Sequence, residues 1–367
     1  MELVRSPRST WGVAQATTYQ VSVGSMSHNK SSQITESSLK PIVKPILLAL
    51  DFGGTKHAAA TAIQGTRQWE AYERILSPAD ANARSDIENI IAIARQVLDG
   101  ATPSAIGVSF GGPVDATTGT VRLSHHVPGW ENIPLRQILE AEFSVPARVD
   151  NDANVAALGE YRFGAGIGCD SLFYITISTG VGGGWILNGQ PWRGAGGMAG
   201  EIGHTVVDPN GPECLCGKRG CVERLASGPY IARDIIETLQ TQPANKLAGG
   251  DILRQLVNNH LESITAQTVS QAAGEGDELA REALEKAGWA LGVGIGNAAN
   301  FVNPQRFVLG GGVTKSGEIF WEAVRRAARE TALPEVEFEI VPAALGDDAP
   351  LWGAIALAED LHSSIGC

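Results

Sequence analysis

Four times along this chain of 367 residues, a short apolar run leads directly into a glycine-rich loop. The loops lie at Gly53, Gly111, Gly180 and Gly310, and segments with helical periodicity separate them. Apolar runs of this length predict buried strands, and strands that alternate with helices are typical of an α/β fold with ligand loops at the strand ends. One Gly-Gly pair alone indicates only a tight turn, whereas four such loops favour a phosphate- or nucleotide-binding cleft.

The first predicted elements are three strands and a helix. Strands are predicted over residues 46–50 and 57–63, with a third near residues 67–74. A helix is predicted to begin at Ser85, because Ser85 and Glu88 have the spacing of a capping box. Farther along, the pattern predicts a hairpin around a glycine turn in SLFYITISTGVGGGWILNGQ, mostly helices from 227 to 299, and a strand in QRFVLGGGV.

Composition limits the class of protein. The formal net charge is −12 at pH 7, which argues against a nucleic-acid-binding surface because such surfaces carry a basic excess. No apolar run approaches the roughly 18 residues that a membrane span needs. The five cysteines do not resemble a secreted disulfide scaffold, so a reducing, cytoplasmic setting is predicted.

The N-terminal segment over residues 1–44 differs from the rest of the chain. It is rich in Ser and Thr, poor in acidic residues and without sustained periodicity, so it is interpreted as a disordered extension. It lacks the continuous apolar core of a secretory signal. A transit peptide and a translation start at Met26 are open alternatives.

The first glycine loop has the composition of a phosphate site. It lies in DFGGTK, where glycines let backbone N–H groups approach phosphate oxygens and Thr55 adds a hydroxyl donor. Asp51 is suited to hold a magnesium ion through water. The chain has no G-x-x-x-x-G-K-[ST] loop and no G-x-G-x-x-G that opens a helix after the first strand, so neither of these nucleotide motifs applies.

A second motif offers a complete set of metal ligands in the pattern H-x₉-C-x-C-x₄-C, made of His204, Cys214, Cys216 and Cys221. Three thiolates and one imidazole suit tetrahedral zinc with no open position, which is a structural site. Redox chemistry is the alternative for close cysteines, but the sequence has no C-x-x-C and the histidine favours a metal. The metal would fix the loop from His204 to Cys221, and with it the carboxylates of Glu201 and Glu223 at its two ends.

The segment VDNDANVAALGE supplies a candidate general base. Asp152 comes just after a predicted strand and just before a helix, which is where open α/β sheets place ligands. A carboxylate within hydrogen-bond reach of a hydroxyl can accept its proton. The alternative is that Asp150 or Asp152 caps the helix that begins near Ala153.

These segments resemble known motifs. LALDFGGTK resembles the first phosphate motif of the superfamily of sugar kinases, actin and heat-shock ATPases, STGVGG resembles its second phosphate motif, and VLGGGV its adenosine motif. EIGHTVVDPNGPECLCGKRGCVE resembles the more specific signature of the ROK family, named for repressors, open reading frames and kinases. The resemblance covers roughly residues 45–360.

The resemblance implies an α/β fold of two actin-like ATPase (ribonuclease H-like) domains around a central cleft. The small domain would span residues 45–150 and be completed by a helix over about 346–367. The large domain would span 151–345 and contain the zinc-bound loop over 204–221. Closure of the domains over a sugar would exclude water.

The resemblance also implies an activity, which is ATP-dependent phosphorylation of a hexose, with the 6-hydroxyl of glucose as the leading acceptor and Asp152 as the base. The sugar would be bound by Asn151, Glu201, His204, Glu223 and Gly112. ATP and Mg²⁺ would be surrounded by Asp51, Gly53, Gly54, Thr55, Lys56, Thr179, Gly180, Gly311 and Gly312. Zn²⁺ would be structural and held by His204, Cys214, Cys216 and Cys221. Asp150 stands where the family more usually has Glu and receives no role, and FGGPVD changes the glycine order of the family's sugar loop.

The sequence leaves alternative acceptors and alternative functions open. N-acetylglucosamine, N-acetylmannosamine and other hexoses are alternative acceptors. ROK repressors carry a helix-turn-helix module before the sugar-binding core, but residues 1–44 lack helical periodicity, so an enzyme is favoured over a regulator. A non-catalytic sugar sensor would need neither Asp152 nor the GGTK loop. The expected partners are a hexose and ATP, with no nucleic acid or membrane, and a homodimer or homotetramer is expected.

Overall fold

The computed structural model describes residues 44–78, 80–124, 127–242 and 249–365. In this part of the chain, two five-stranded sheets have the orders β3-β2-β1-β4-β7 and β10-β9-β8-β11-β12. The first consists of β1 (Ile46–Phe52), β2 (Lys56–Ile63), β3 (Ala71–Leu76), β4 (Ala105–Phe110) and β7 (Ala147–Asn151). The second consists of β8 (Leu172–Ile177), β9 (Val181–Leu187), β10 (Gln190–Trp192), β11 (Arg306–Gly310) and β12 (Glu339–Pro342). Strands β5 (Val114–Asp115) and β6 (Thr120–Val121) form a separate short hairpin.

The two sheets repeat one topology. In each, three consecutive strands pair antiparallel and two later strands join in parallel: β4 and β7 in the first sheet, β11 and β12 in the second. The carboxyl ends of β1, β4, β8 and β11 therefore carry the four glycine loops, as the sequence predicts. The predicted α/β class is confirmed.

The helices are α1 (Ala83–Leu98), α2 (Leu135–Phe143), α3 (Asp152–Phe163), α4 (Val222–Ala226), α5 (Gly228–Thr241), α6 (Asp251–Leu256), α7 (Ala266–Gly274), α8 (Glu278–Val302), α9 (Glu318–Thr331) and α10 (Ala349–Ile365). The predicted helical region from 227 to 299 is confirmed. No helix in the described ranges is long and apolar enough to cross a membrane.

Helices α3 and α10 lie between the sheets. Helix α10 packs along α3 and against β1 and β4, while α3 also packs against β8 and β9. Glycines permit this close contact: a Cβ atom at Gly159 would lie 2.4 Å from the carbonyl oxygen of Ala349, and one at Gly353 would lie 1.8 Å from that of Val155. The apolar cluster around this helix pair draws side chains from both sheets.

Two boundaries predicted from the sequence are wrong. Helix α1 begins at Ala83, because Asn82 is its N-cap and Ser85 is the third helical residue of the capping box. Strand β3 begins at Ala71, since the turn after β2 extends the connection and pairing starts only at Thr61 with Ala71. Strand β12 was not predicted. The N-terminal extension, apart from its residue 44, lies outside the described residues.

The buried carboxylate of Glu160 joins α3 to the segment before α10. The side chain is fully buried and accepts hydrogen bonds from the backbone N–H groups of Ala165 (2.8 Å), Ala344 (3.1 Å) and Leu345 (2.8 Å). Each such bond to a charged acceptor contributes about 1.5–3 kcal/mol, and a buried donor without a partner is costly.

We therefore expect Glu160→Ala to lower the free energy of unfolding by about 3 kcal/mol or more. Urea unfolding followed by circular dichroism measures this change. The exposed Glu282 of α8 provides the matched control, Glu282→Ala, which should change stability by less than about 0.5 kcal/mol. Equal stabilities of the two variants would contradict the role of Glu160.

Candidate active site

The predicted base lies at the junction of β7 and α3, and no loop separates the two elements. Asn151 ends β7 and is the N-cap of α3, with its Oδ1 accepting from the backbone N of Ala153 at 3.0 Å. Its Nδ2 donates to the carbonyl oxygen of Gly112 (3.1 Å) and to Asp152 Oδ1 (2.9 Å). Asn151 thus caps the helix and leaves Asp152, the first helical residue, oriented by an amide. Asn151, Asp152 and Gly112, all predicted site residues, meet here.

The loop predicted to bind phosphate, Gly53–Lys56, lies near this carboxylate. The space beside Gly111 is bounded by Asp152 Oδ2 and by the backbone N of Gly54, each 3.8 Å from where a Cβ atom at Gly111 would stand. Asp51 is buried in β1. The loops after β1 and β4 and the start of α3 therefore converge on one point.

The surroundings of Asp152 raise the pKa of its carboxyl group toward neutral pH. Burial, and secondly the negative charge of Asp51, raise the pKa of the Asp152 carboxyl to about 7. Burial also raises the pKa of Asp51. A base is most effective when its pKa is near the working pH, so Asp152 has the property that a general base needs.

The loop from Gly53 to Lys56 is a tight turn in which the backbone N of Gly53 donates to the carbonyl oxygen of Lys56 at 3.1 Å. Gly54 and Thr55 are exposed at its tip. The Lys56 ammonium contacts Asp347 Oδ2 at 2.9 Å, in the turn Gly346–Asp348 just before α10. The tip therefore has donors open to a ligand.

The predicted second phosphate motif forms a turn that is shorter than the sequence suggests. It consists of Ser178–Gly180, closed by a 2.9 Å hydrogen bond from the backbone N of Ser178 to the carbonyl oxygen of Gly180. The three glycines that follow belong to β9. They allow close packing, since a Cβ atom at Gly184 would lie 2.5 Å from the carbonyl oxygen of Ala153 at the start of α3.

A cavity of about 790 Å³ opens beside this turn. Two predicted residues, Thr179 and Gly312, line it, and Gly311 lies next to Gly312 with a left-handed φ of 91°. Most of the lining residues were not predicted, and among them are Gly228, Pro229, Thr265, Gln267, Ser270 and Lys315. These residues come mainly from the starts of α5 and α7, which carry no glycine motif. A position at or near the predicted N-terminus of a helix is the one sequence signal that could have identified such residues.

The turn that carries Glu201 and His204 packs against β9. A Cβ atom at Gly203 would lie 2.1 Å from the carbonyl oxygen of Val181. Glu201 is exposed, and His204 ends the short helix Ile202–His204. Strand β9 therefore contacts both helix α3, which carries Asp152, and the turn that carries Glu201.

The predicted metal ligands form a compact set. Ligand atoms of His204, Cys214, Cys216 and Cys221 all lie within 4.8 Å of one another, and the Sγ atoms of Cys216 and Cys221 are 3.5 Å apart. Ligands of tetrahedral zinc lie about 3.3–3.8 Å apart, because each is about 2.0–2.3 Å from the ion. The His204 Nδ1 atom is buried and has no hydrogen-bond partner in the described part of the chain. The donor set and this unpaired nitrogen fit a closed zinc site.

Asp150, to which the sequence analysis assigned no role, is buried and makes polar contacts with Asn151 and Arg193. Its Oδ1 accepts from the backbone N of Asn151 at 2.8 Å, and its Oδ2 lies 2.6 Å from the Arg193 guanidinium. Arg193 begins the loop that leads to Glu201. The ion pair therefore connects the segment that carries Asp152 to the loop that leads to Glu201, a predicted sugar ligand.

Most of the chain matches one known protein family. The model of the ROK family matches residues 47–361. The chain belongs to the ROK family. This membership agrees with the signature around His204 and the three cysteines.

Individual members of the ROK family align over most of the chain. The glucokinase of Halalkalibacterium halodurans is 39% identical over 267 residues, 71% of this chain and 78% of the relative. The structure of a ROK family glucokinase from Streptomyces griseus, in complex with glucose and AMPPNP, superposes with a TM-score of 0.72 at 32% identity and covers 86% of this chain and 99% of that one. The xylose repressor of Caldicellulosiruptor bescii is 32% identical over 254 residues, 69% of this chain and 61% of the repressor. The family therefore contains both kinases and regulators.

Proposed function

We propose that this ROK family sugar kinase transfers the γ-phosphoryl group of ATP to the 6-hydroxyl of glucose. The observation that carries the proposal is the position of Asp152, whose pKa is raised and whose Oδ2 borders, with the backbone N of Gly54, the space beside Gly111. The similarity to glucokinases supports glucose as the acceptor. N-acetylhexosamines are the alternative acceptors.

In this proposal the sugar is held by Asn151, Glu201, His204, Glu223 and the backbone of Gly112. The Asn151 amide holds Asp152 Oδ1, so Asp152 Oδ2 faces the acceptor hydroxyl. As the hydroxyl oxygen attacks the γ-phosphorus, its proton passes to Asp152. The bond between the γ-phosphorus and the bridging oxygen of ADP breaks, and Asp152 later releases the proton to solvent.

The nucleotide occupies two parts of the site. The cavity beside Ser178–Gly180 takes the adenosine and is bordered by Thr179 and Gly312, with Gly311 next to Gly312 in the chain. The loop of Gly53, Gly54, Thr55 and Lys56 and the Gly180 turn approach the phosphates with their N–H and O–H donors. Asp51 would hold Mg²⁺, which neutralises charge on the phosphates when bound.

The zinc set has a positioning role. His204, Cys214, Cys216 and Cys221 would hold the ion, and the segment that they fix carries Glu201 and Glu223 at its ends. A closed structural site supplies folding energy rather than chemistry. The two-domain division, with residues 45–150 and α10 on one side and 151–345 on the other, would let the cleft close over the sugar and exclude water.

A hexose panel tests the proposal. The full chain is incubated with ATP, Mg²⁺ and glucose, mannose, N-acetylglucosamine or N-acetylmannosamine, and ADP is followed in a coupled assay. We expect the highest kcat/KM with glucose. A preference for an N-acetylhexosamine would reassign the acceptor, and binding of a hexose without ADP formation would identify a non-catalytic sensor.

A further inference from the structure

The Glu223 carboxylate contacts the second phosphate turn directly. Its Oε2 accepts a hydrogen bond from the backbone N of Val181 at 3.0 Å. The same oxygen lies 2.8 Å from where a Cβ atom at Gly180 would stand, so the turn and the carboxylate are in contact over two residues. No hydrogen bond within the described residues uses Glu223 Oε1.

The helix that carries Glu223 is attached to the same turn at a second point. Helix α4 ends where the backbone N of Ser227 donates to the carbonyl oxygen of Glu223. The next residue, Gly228, donates its backbone N–H to the carbonyl oxygen of Ser178 at 2.9 Å. Glu223 is therefore connected to both ends of the Ser178–Val181 segment, through its own carboxylate at Val181 and through Gly228 at Ser178.

We infer that Glu223 couples sugar binding to nucleotide binding, by holding a sugar hydroxyl with one carboxylate oxygen and the phosphate turn with the other. The inference rests on the proposed function, in which Glu223 binds the sugar. A bound sugar restricts the Glu223 side chain, and the restricted side chain fixes the backbone N–H groups of the turn where phosphate oxygens approach. Part of the entropy cost of ordering the turn is then met before the nucleotide arrives.

This coupling has a defined thermodynamic signature. Coupling between two ligands typically changes affinity by about 5–150-fold, and the factor is the same in both directions. We expect glucose to tighten nucleotide binding by about tenfold, and the nucleotide to tighten glucose binding by the same factor.

Isothermal titration calorimetry of the full chain measures this factor. AMPPNP with Mg²⁺ is titrated into the protein without sugar and at saturating glucose. For the natural chain the Kd should fall about tenfold with glucose. For Glu223→Ala the ratio of the two Kd values should lie within about twofold of one, because the link is removed. Glu223→Asp, which is one methylene too short to bridge both sites, should also lose the coupling and provides a second variant if the alanine variant does not fold.

Glu201→Gln is the matched control. It removes another sugar-binding carboxylate that makes no hydrogen bond to the phosphate turn, so glucose affinity should fall while the ratio at saturating glucose stays near tenfold. Full coupling in both Glu223 variants, or none in the natural chain although it binds glucose, would overturn the inference and leave the kinase proposal intact. Failure of the natural chain to bind any hexose would overturn the proposed function itself.

Discussion

Replacement of Asp152 by asparagine is expected to lower kcat by about 10²–10⁴-fold, the contribution usual for a general base. Asparagine keeps the shape and can still accept the hydrogen bond from the backbone N of Ala153, so binding of AMPPNP and of metal should be unchanged. Steady-state kinetics with glucose and ATP measure the loss. Asp170→Asn, at an exposed aspartate outside the site, should keep normal turnover.

The pH profile gives a second readout of the same residue. Asp152 must be deprotonated to accept a proton, and its pKa is raised to about 7. The kcat/KM of the natural chain should therefore be low at pH 5.5, rise with pH and reach half its maximum near the pKa of the free enzyme. A flat profile from pH 5.5 to pH 8 would show that another group accepts the proton.

The raised pKa also affects stability. The folded chain binds the Asp152 proton more tightly than the unfolded chain, so this carboxyl makes stability fall as the pH rises from 3.8 to about 7. Asp152→Asn removes that effect. The melting temperature of the variant, relative to that of the natural chain, should be higher at pH 8 than at pH 5.

Loss of one predicted zinc ligand is the second large effect that we expect. Cys216→Ala should abolish bound zinc, lower the melting temperature and raise the KM for glucose by about tenfold or more. Cys216 is exposed, so its replacement leaves no cavity in the core. The consequences then come from the freed segment between His204 and Cys221 and from Glu201 and Glu223 at its ends.

Metal analysis, thermal unfolding and sugar kinetics on the same preparation check this expectation. Leu215→Ala is the matched control, because Leu215 lies between two of the cysteines and is 90% exposed, and it should keep both zinc and KM. A Cys216→Ala protein that has lost zinc but keeps a normal KM would disconnect the metal from the sugar pocket.

The residues that could be predicted from sequence are those with strong local chemistry. Apolar runs that end in glycine marked β1, β4, β8 and β11, because a buried strand followed by a close backbone approach leaves that pattern in any context. The Cys and His spacing gave a set that is compact in the structure. The position of Asp152 followed from the rule that ligands lie at strand ends.

The features that were missed depend on contacts between distant segments. The side chains lining the large cavity come from helix starts whose composition is ordinary, and Arg193 becomes a partner of Asp150 only when β10 folds against β9 and β7 is in place. The cap of α1 was misplaced because Asn82 and Ser85 both suit the role, and only the backbone path decides between them. Strand β12 is short and partly exposed, so it lacks an apolar run.

The packing of α10 has a consequence for how the chain is made. Strand β1 begins at Ile46, but the helix that covers β1 and β4 begins at Ala349, about 300 residues later. During synthesis on the ribosome, the face of the first sheet that α10 covers therefore stays uncovered until α10 has been made and has packed beside α3. Exposed apolar surface of this kind favours aggregation, so we expect a chain that lacks α10 to aggregate more readily than the full chain.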